Sequence, residues 1–400
     1  MYALTWNIRS VNTQRTFERR ITMQRQYHFD FIGIMEPMQR SRKLEKYRRQ
    51  SGFAQAIVNT SNKIWAFIYE RFDVTVVIDM VWHLTLKLDD IEDHKEFILT
   101  LVYAKCDHFA RIELCDSLYY LARDMTTPWL GGGDFNVIWD EKEKFGRLPV
   151  SLNVVDNFRH CINTCNRTDM GFKGSIYTWW NGRAEEDFIS KRLDQVFANM
   201  ELQLLWPGLE ITHLSKIGSD HRPLLIAYNP ESVPIKKSFR FLNFWTKHES
   251  FKAVVKENWQ EDFHANSFIL FNYKLKKLKK ALSTWRRATF GDIFQKIASL
   301  EEVVRAHEAQ FELHPTLQNR ERLQKVQAEL FKYLALEEQF WKQKSGMTWF
   351  TDGDRNTKFF HAHVNGKRKR LQLKRIQNND GDWIEDREEM AIEVVKFFEA

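Results

Sequence analysis

The run Pro128-Trp-Leu-Gly-Gly-Gly-Asp134-Phe-Asn136-Val-Ile-Trp-Asp140 constrains this chain more than any other stretch. Trp129 and Leu130 have the composition of a buried strand, and three consecutive glycines let the backbone turn where side chains would clash. Asp134 and Asn136 are thereby placed at the strand's carboxyl end. Strand residues i and i+2 share a face, so the expectation is a carboxylate and an amide side by side at the rim of a sheet, a base next to a donor that orients oxygen. An Asx-rich turn that merely caps the strand is the alternative.

Polar residues fall at other strand ends in the same way. Residues 1–9 have β-type composition and deliver Asn7 to a tip, and residues 30–36 form a short apolar run ending in Glu36, stopped by Pro37. An acidic residue so placed is a reasonable metal ligand. Residues 15–29 read as a basic amphipathic helix. Residues 55–59, 63–69, 74–88 and 97–102 are rich in Val, Ile, Phe and Trp, and read as a meander of antiparallel strands closed by Tyr103. Residues 111–125 and 158–165 read as helices, and residues 174–183 and 192–197 as strands, the second carrying Asp194. Asp220 and His221 precede a terminal strand at 224–228. Taken singly, each has an ordinary structural role: a lone His is usually satisfied in a core, and aromatic strand residues such as Trp179 usually pack. Their recurrence at successive strand ends is what points to a site.

Composition bounds the rest. Four hundred residues suit two domains, and 43% hydrophobic with 14% aromatic residues argue for packed cores rather than disorder. No apolar run approaches the roughly 18 residues of a membrane span, and the first residues read as a strand rather than a signal peptide. A soluble intracellular protein is expected. Cys106, Cys115, Cys161 and Cys165 lack zinc-ligand spacing and are expected to be buried, reduced thiols. The net charge of +7 is uneven, with 29 basic and 29 acidic residues in 1–230 against 31 and 24 in 231–400. That asymmetry suggests a catalytic unit joined to a segment that meets a polyanion.

In order, Thr-Trp-Asn7-Ile-Arg9, Met-Glu36-Pro, Val-Tyr103-Ala, Gly-Gly-Asp134-Phe-Asn136, Arg-Leu-Asp194 and Gly-Ser-Asp220-His221-Arg-Pro-Leu resemble the motifs of the endonuclease/exonuclease/phosphatase superfamily. Trp-Leu-Gly-Gly-Gly-Asp-Phe-Asn, Gly171-Phe-Lys-Gly and Tyr-Thr178-Trp179-Trp-Asn-Gly-Arg are similar to the apurinic-type endonuclease domain of plant LINE-type non-LTR retrotransposons. Phe290-Gly-Asp-Ile, the run from Phe340 through Trp-Lys-Gln-Lys-Ser-Gly-Met-Thr-Trp to Phe350, and Asp352-Gly-Asp-Arg-Asn-Thr-Lys-Phe-Phe-His361 resemble the connector preceding the reverse transcriptase of those elements. Two departures stand out: Ile8 where a small residue or Cys is usual, and Ser10 where Gly is usual.

The resemblance implies a four-layered α/β sandwich over residues 1–230, two packed and mostly antiparallel sheets flanked by helices, followed by a mainly α-helical, basic arm over 231–400. It implies Mg²⁺, or Mn²⁺ in its place, held by Glu36 with Asp220. Asp134 would orient or deprotonate water, and Asn136 and Asn7 would position water and phosphate. Tyr103 would donate to a non-bridging oxygen, and His221, kept cationic by Asp194, would add positive charge. Arg9, Thr178 and Trp179 would touch substrate. The partners implied are DNA and the element's RNA, with no membrane, and the location the nucleus. The activity implied is nicking that leaves a 3′-hydroxyl; the rivals are a silent remnant that only binds nucleic acid and a phosphatase or exonuclease of the same superfamily. No Tyr/Phe-Ala-Asp-Asp sequence occurs, so no polymerase is expected in this chain.

The second half begins at Pro230 and Pro234. Residues 268–285, 292–311 and 317–344 carry helical apolar stripes, with Pro315 making a helical hairpin, of coiled-coil character, of the last two. Lys367, Arg368, Lys369, Arg370, Lys374 and Arg375 form a cationic cluster read as a phosphate contact or nuclear import signal.

Overall fold

In the computed structural model, residues 1–123, 125–147, 149–228, 239–260, 266–346, 364, 367, 373 and 375–399 are described. Pro230 and Pro234, the motif from Asp352 to His361, and Arg368, Lys369, Arg370 and Lys374 lie outside them. The chain divides into two compact units, Met1–Val233 with Asn365–Ala400, and Pro234–Val364.

The first unit opens with β1 (Tyr2–Asn7), α1 (Gln14–Tyr27), β2 (Phe31–Met35), α2 (Leu44–Ser51), β3 (Gln55–Val58), β4 (Ile64–Ile68), β5 (Phe72–Asp79), β6 (His83–Asp90) and β7 (Lys95–Tyr103). It continues with α3 (Ile112–Ala122), β8 (Trp129–Asp134), β9 (Lys144–Phe145), α4 (Leu152–Thr164), β10 (Thr168–Asp169), β11 (Trp179–Trp180), β12 (Ser190–Lys191), β13 (Asp194–Ala198), α5 (Met200–Leu205), β14 (Leu209–His213) and β15 (Leu224–Tyr228). Two six-stranded sheets result, in the orders β14-β15-β1-β2-β4-β3 and β10-β13-β8-β7-β6-β5. Each is antiparallel but for one pair, β1 with β2 and β7 with β8.

Strand pleating sends alternate side chains to opposite faces, and both faces of both sheets are apolar. Phe31, Met35 and Ala66 from the first sheet meet Leu86, Leu99, Leu101 and Val196 from the second in a shared core. On the outer side of the first sheet, Trp6, Ile34 and Trp65 pack against Met23 of α1 and Tyr47 of α2. On the outer side of the second, Val102, Trp129 and Phe197 pack against Leu114 of α3 and Phe158 of α4. The layers are therefore helix, sheet, sheet, helix, the expected α/β sandwich. At roughly 2 kcal/mol for each fully buried large apolar side chain, these three clusters dominate the unit's stability.

Several expectations need correction. The expected strand at 74–88 is a hairpin, β5 and β6, turning through Met80, Val81 and Trp82. Nothing in that apolar tripeptide signals a turn; Asn59 and Ser61 stabilise it from outside by donating to the carbonyls of Met80 and Val81. Helix α4 starts at Leu152, earlier than expected, and β14 was not expected at all. The cysteines are not all thiols: Cys115 of α3 and Cys161 of α4 form a disulfide, while Cys106 and Cys165 are free. Cys106 is exposed.

Gly133 shows why the glycine run is needed. Its φ is +145°, and an added Cβ would meet the Val102 carbonyl and stand 2.8 Å from Met35 Cε. Gly133→Ala is expected to lower unfolding free energy by about 2–3 kcal/mol through backbone strain and overpacking. A denaturant midpoint unchanged from wild type would refute this.

The second unit is helical, with α6 (Phe251–Asn258), α7 (Ser267–Thr289), α8 (Ile293–Leu313) and α9 (Leu317–Ser345). Its core gathers Trp245, Leu282, Ile293, Ile297, Phe340 and Trp341. Lys296 near the start of α8 pairs with Glu329 well along α9, so the two run antiparallel as a hairpin. Among the described residues, no helix is long and apolar enough to cross a membrane.

Candidate active site

Strand register brings the acids together. Asp134 ends β8 and lies directly opposite Asp194, the first residue of β13, while Tyr103 at the end of β7 is level with Asp134 on its other side. Two carboxylates facing each other across a ladder repel, and both are buried. His221, also buried, answers that repulsion: its Nδ1 is 2.9 Å from Asp194 Oδ2 and its Nε2 4.0 Å from Asp134 Oδ2. From the first sheet, Asn7 at the tip of β1 donates from Nδ2 to Asp134 Oδ2 at 2.9 Å.

Asn136 reaches Asp134 by a route other than the expected pleat. The strand ends at Asp134, and Asn136 has φ +51°. Its backbone N–H donates to Asp134 Oδ1 at 2.9 Å, and its Nδ2 donates to the Ala104 carbonyl at 2.7 Å. An Asx turn and a polar cluster are thus the same structure. Arg9 and Glu36 also adopt left-handed backbone, with φ of +46° and +50°. Three non-glycine residues in that region at one rim mark a strained site.

The rim holds the remaining groups. Tyr103 Oη donates to Glu36 Oε1 at 2.5 Å. Arg9 donates from Nη1 to Asp220 Oδ2 at 2.6 Å and places Nε 3.8 Å from Glu36 Oε2. Trp179 Nε1 donates to the same Asp220 Oδ2 at 2.9 Å. Thr178 corrects the expectation of a substrate contact: it is fully buried, and its hydroxyl accepts the backbone N–H groups of Leu193 and Asp194 at 3.0 Å each. It positions Asp194. Ser219, which sequence reasoning passed over, donates to the Asn7 carbonyl and accepts from the His221 N–H, tying both site loops together. Its signal was a Ser two residues before the His, the spacing of a local side-chain turn. Of the cationic cluster, Lys367 and Arg375 are described, and Arg375 lies 3.9 Å over the Trp383 ring.

Electrostatics divides the labour. Burial pushes the Asp134 carboxyl up to about 7, with Asp194 adding to the shift and His221 opposing it. Burial would lower the His221 imidazole, but Asp194 outweighs that, and Asp134 and Asp220 add to it, raising His221 to about 9. Burial and then Glu36 drive the Tyr103 phenol upward, so it remains a donor. Because the folded value of His221 is raised, its contribution to stability is complete below the ordinary value of 6.5 and lost as pH climbs through about 9. The expected result is an NMR titration of the His221 ring near 9 that falls below 7 in Asp194→Asn; a wild-type midpoint near 6.5 would contradict the ion pair.

Asp134, Asp194 and His221 also bring ligand atoms within 4.8 Å of one another, close enough to hold a metal. Asp194 engages His221 Nδ1, which leaves Nε2 as the ring nitrogen turned toward Asp134. Glu36 and Asp220 are a second pair of acids at this rim. They offer carboxylate oxygens, and one cation, the Arg9 guanidinium, already reaches both.

No protein-family model matches the chain, and no curated protein matches it. Solved structures do. The endonuclease domain of TRAS1, a telomere-specific non-LTR retrotransposon, is 13% identical, covering 58% of this chain and 99% of its own at a TM-score of 0.44. An AP endonuclease from Leishmania major is 12% identical, covering 57% of this chain and 88% of its own at 0.47. An AP endonuclease from Archaeoglobus fulgidus is 15% identical, covering 57% of this chain and 99% of its own at 0.45.

Proposed function

We propose that this chain is a divalent-metal-dependent phosphodiesterase of retrotransposon type that nicks DNA and leaves a 3′-hydroxyl. The observation that carries the reading is the buried cluster in which Asp134 faces Asp194 across the ladder while His221 places Nδ1 2.9 Å from Asp194 and Nε2 4.0 Å from Asp134, an arrangement that raises the Asp134 carboxyl to about 7. A base titrating near neutral pH both accepts a proton and exists ionised, the condition general base catalysis needs. Phosphodiester cleavage is so slow unaided that several contributions, each on the order of 3 kcal/mol, must act together.

The residues divide those contributions. Asp134 takes the proton of the attacking water, with Oδ1 fixed by the Asn136 N–H and Oδ2 by Asn7. His221 directs Nε2 at a phosphate oxygen, since Nδ1 belongs to Asp194. Tyr103, held protonated, would turn its single O–H from Glu36 to a non-bridging oxygen as charge builds there. Mg²⁺ or Mn²⁺ bound at Glu36 and Asp220 would supply neutralisation of the phosphate's charge. A polyanionic substrate is supported by rim lysines seated on aromatic rings, Lys105 over Trp82 at 4.4 Å and Lys216 over Trp180 at 5.1 Å. The basic excess in residues 231–400 favours the same partner class. Nuclear residence follows as part of this proposal.

The test is supercoiled plasmid with purified protein. Nicking with Mg²⁺, lost in EDTA and in His221→Ala, with nicks extendable by a DNA polymerase, is the expected result. Folded wild type that binds DNA in a salt-sensitive way but never cuts it would favour the silent remnant. Release of phosphate from a 3′-phosphorylated end without nicking would favour the phosphatase reading.

A further inference from the structure

Arg9 occupies the place of a shared cation. It follows the tip of β1 in left-handed backbone, and its guanidinium reaches Asp220 Oδ2 at 2.6 Å and Glu36 Oε2 at 3.8 Å. Both carboxylates are otherwise oriented from behind, Glu36 by the Tyr103 hydroxyl and Asp220 by the Trp179 indole. Their side chains are 13% and 19% exposed, whereas that of Arg9 is 55% exposed. The acids are therefore fixed and sheltered, while the cation between them sits at the open edge.

We propose that Arg9 is a built-in competitor for the metal site: in the substrate-free protein its guanidinium neutralises Glu36 and Asp220, and a divalent cation must displace it to bind. This rests on the reading that those two acids hold the metal. A guanidinium does not lose its proton in a protein, so it cannot leave by becoming neutral. It has to be moved as a cation, and its interaction with the two acids is subtracted from metal affinity. Side chains this exposed are partly screened by solvent, so the competition weakens binding without abolishing it. Arg at this position thus sets a metal affinity lower than the carboxylates alone would give, and favours occupancy only where divalent cation is abundant.

Calorimetric titration of Mn²⁺ into the full chain without DNA tests this, using wild type, Arg9→Gln, Arg9→Lys, Glu36→Gln and Asp220→Asn. Arg9→Gln should bind about tenfold more tightly than wild type, and Mn²⁺ should raise its melting temperature by more. Arg9→Lys, which keeps the charge without the fork, should fall between. If Glu36→Gln and Asp220→Asn weaken binding yet Arg9→Gln binds no more tightly than wild type, Arg9 is no competitor, and the metal-site reading survives. If Glu36→Gln and Asp220→Asn bind as wild type does, the metal lies elsewhere and both fail. If no form binds, Arg9→Gln included, both are likewise overturned.

Discussion

Asp134→Asn is expected to cut kcat for nicking by about 10³-fold, roughly 4 kcal/mol of transition-state stabilisation, while leaving the folded protein as stable as wild type or more so. The two halves have one cause. An amide of the same shape cannot accept the water's proton, yet it also removes a buried carboxylate facing Asp194. The folded-state value of Asp134, about 7, lies above the ordinary 3.8, so the ionised group costs stability as pH rises from 3.8 to 7, and the full cost persists above 7. Against this stand the Asn7 hydrogen bond, weakened in the variant, and the lost attraction of His221. Single-turnover kinetics and melting temperature, each followed from pH 5 to 9, separate the outcomes. The variant should lose the acidic limb of the rate profile near 7 and gain most in relative stability on the alkaline side. A rate within tenfold of wild type would remove Asp134 from its role as base.

Arg192→Met should be the most destabilising substitution considered, at about 3–5 kcal/mol, because it removes the buried cation that Glu143 and Asp169 share. Arg192 is 2% exposed. It donates to Glu143 Oε1 at 2.7 Å and grips Asp169 through two bonds of 2.8 Å. Burial would lower the guanidinium's pKa; Asp169 and Glu143 more than reverse that, while burial in turn raises Glu143. A lysine offers one point charge where a fork is required, so Arg192→Lys should rescue little. Adding Glu143→Gln and Asp169→Asn to Arg192→Met should recover part of the loss, since the two carboxylates that Arg192 neutralised are then replaced by neutral amides. Urea denaturation of the four proteins gives the answer. A loss under 1 kcal/mol in Arg192→Met would mean the triad is solvated.

How much of this was legible in the sequence depends on how local each signal was. Most strands were legible because they alternate with turn chemistry, and Asn7, Glu36, Tyr103, Asp134 and Asp194 each sit at one end of a strand; the sandwich itself was an expectation drawn from the resemblance of the motifs these residues belong to. The β5–β6 hairpin was not, since its turn is made by Asn59 and Ser61 rather than by its own residues. Asp134 and Asn136 were paired for the wrong reason: a period-2 argument assumes a continuing strand, and the chain had already turned. Thr178 read as a surface contact because a threonine beside two tryptophans gives no sign of which backbone groups its hydroxyl will meet. The Arg192 triad joins residues up to 49 positions apart, and no pattern in one sequence reports such a pairing. The Cys115–Cys161 bond is of the same kind, set by two helices that happen to pass side by side on the outer layer.

Because Asn7 and Glu36 come from one sheet and Tyr103, Asp134 and Asp194 from the other, the site is a seam between the two halves of the sandwich rather than a feature of either. If the proposed phosphodiesterase reading holds, its rate is then a gauge of how firmly the halves are clasped. A displacement of about 1 Å can cost a hundredfold in rate, so a cavity cut by Leu86→Ala in the shared core should abolish the proposed nicking at a temperature where spectroscopy still reports the protein folded. Loss of activity on warming should therefore precede melting, and the interval between them measures how far the halves can slide before they part.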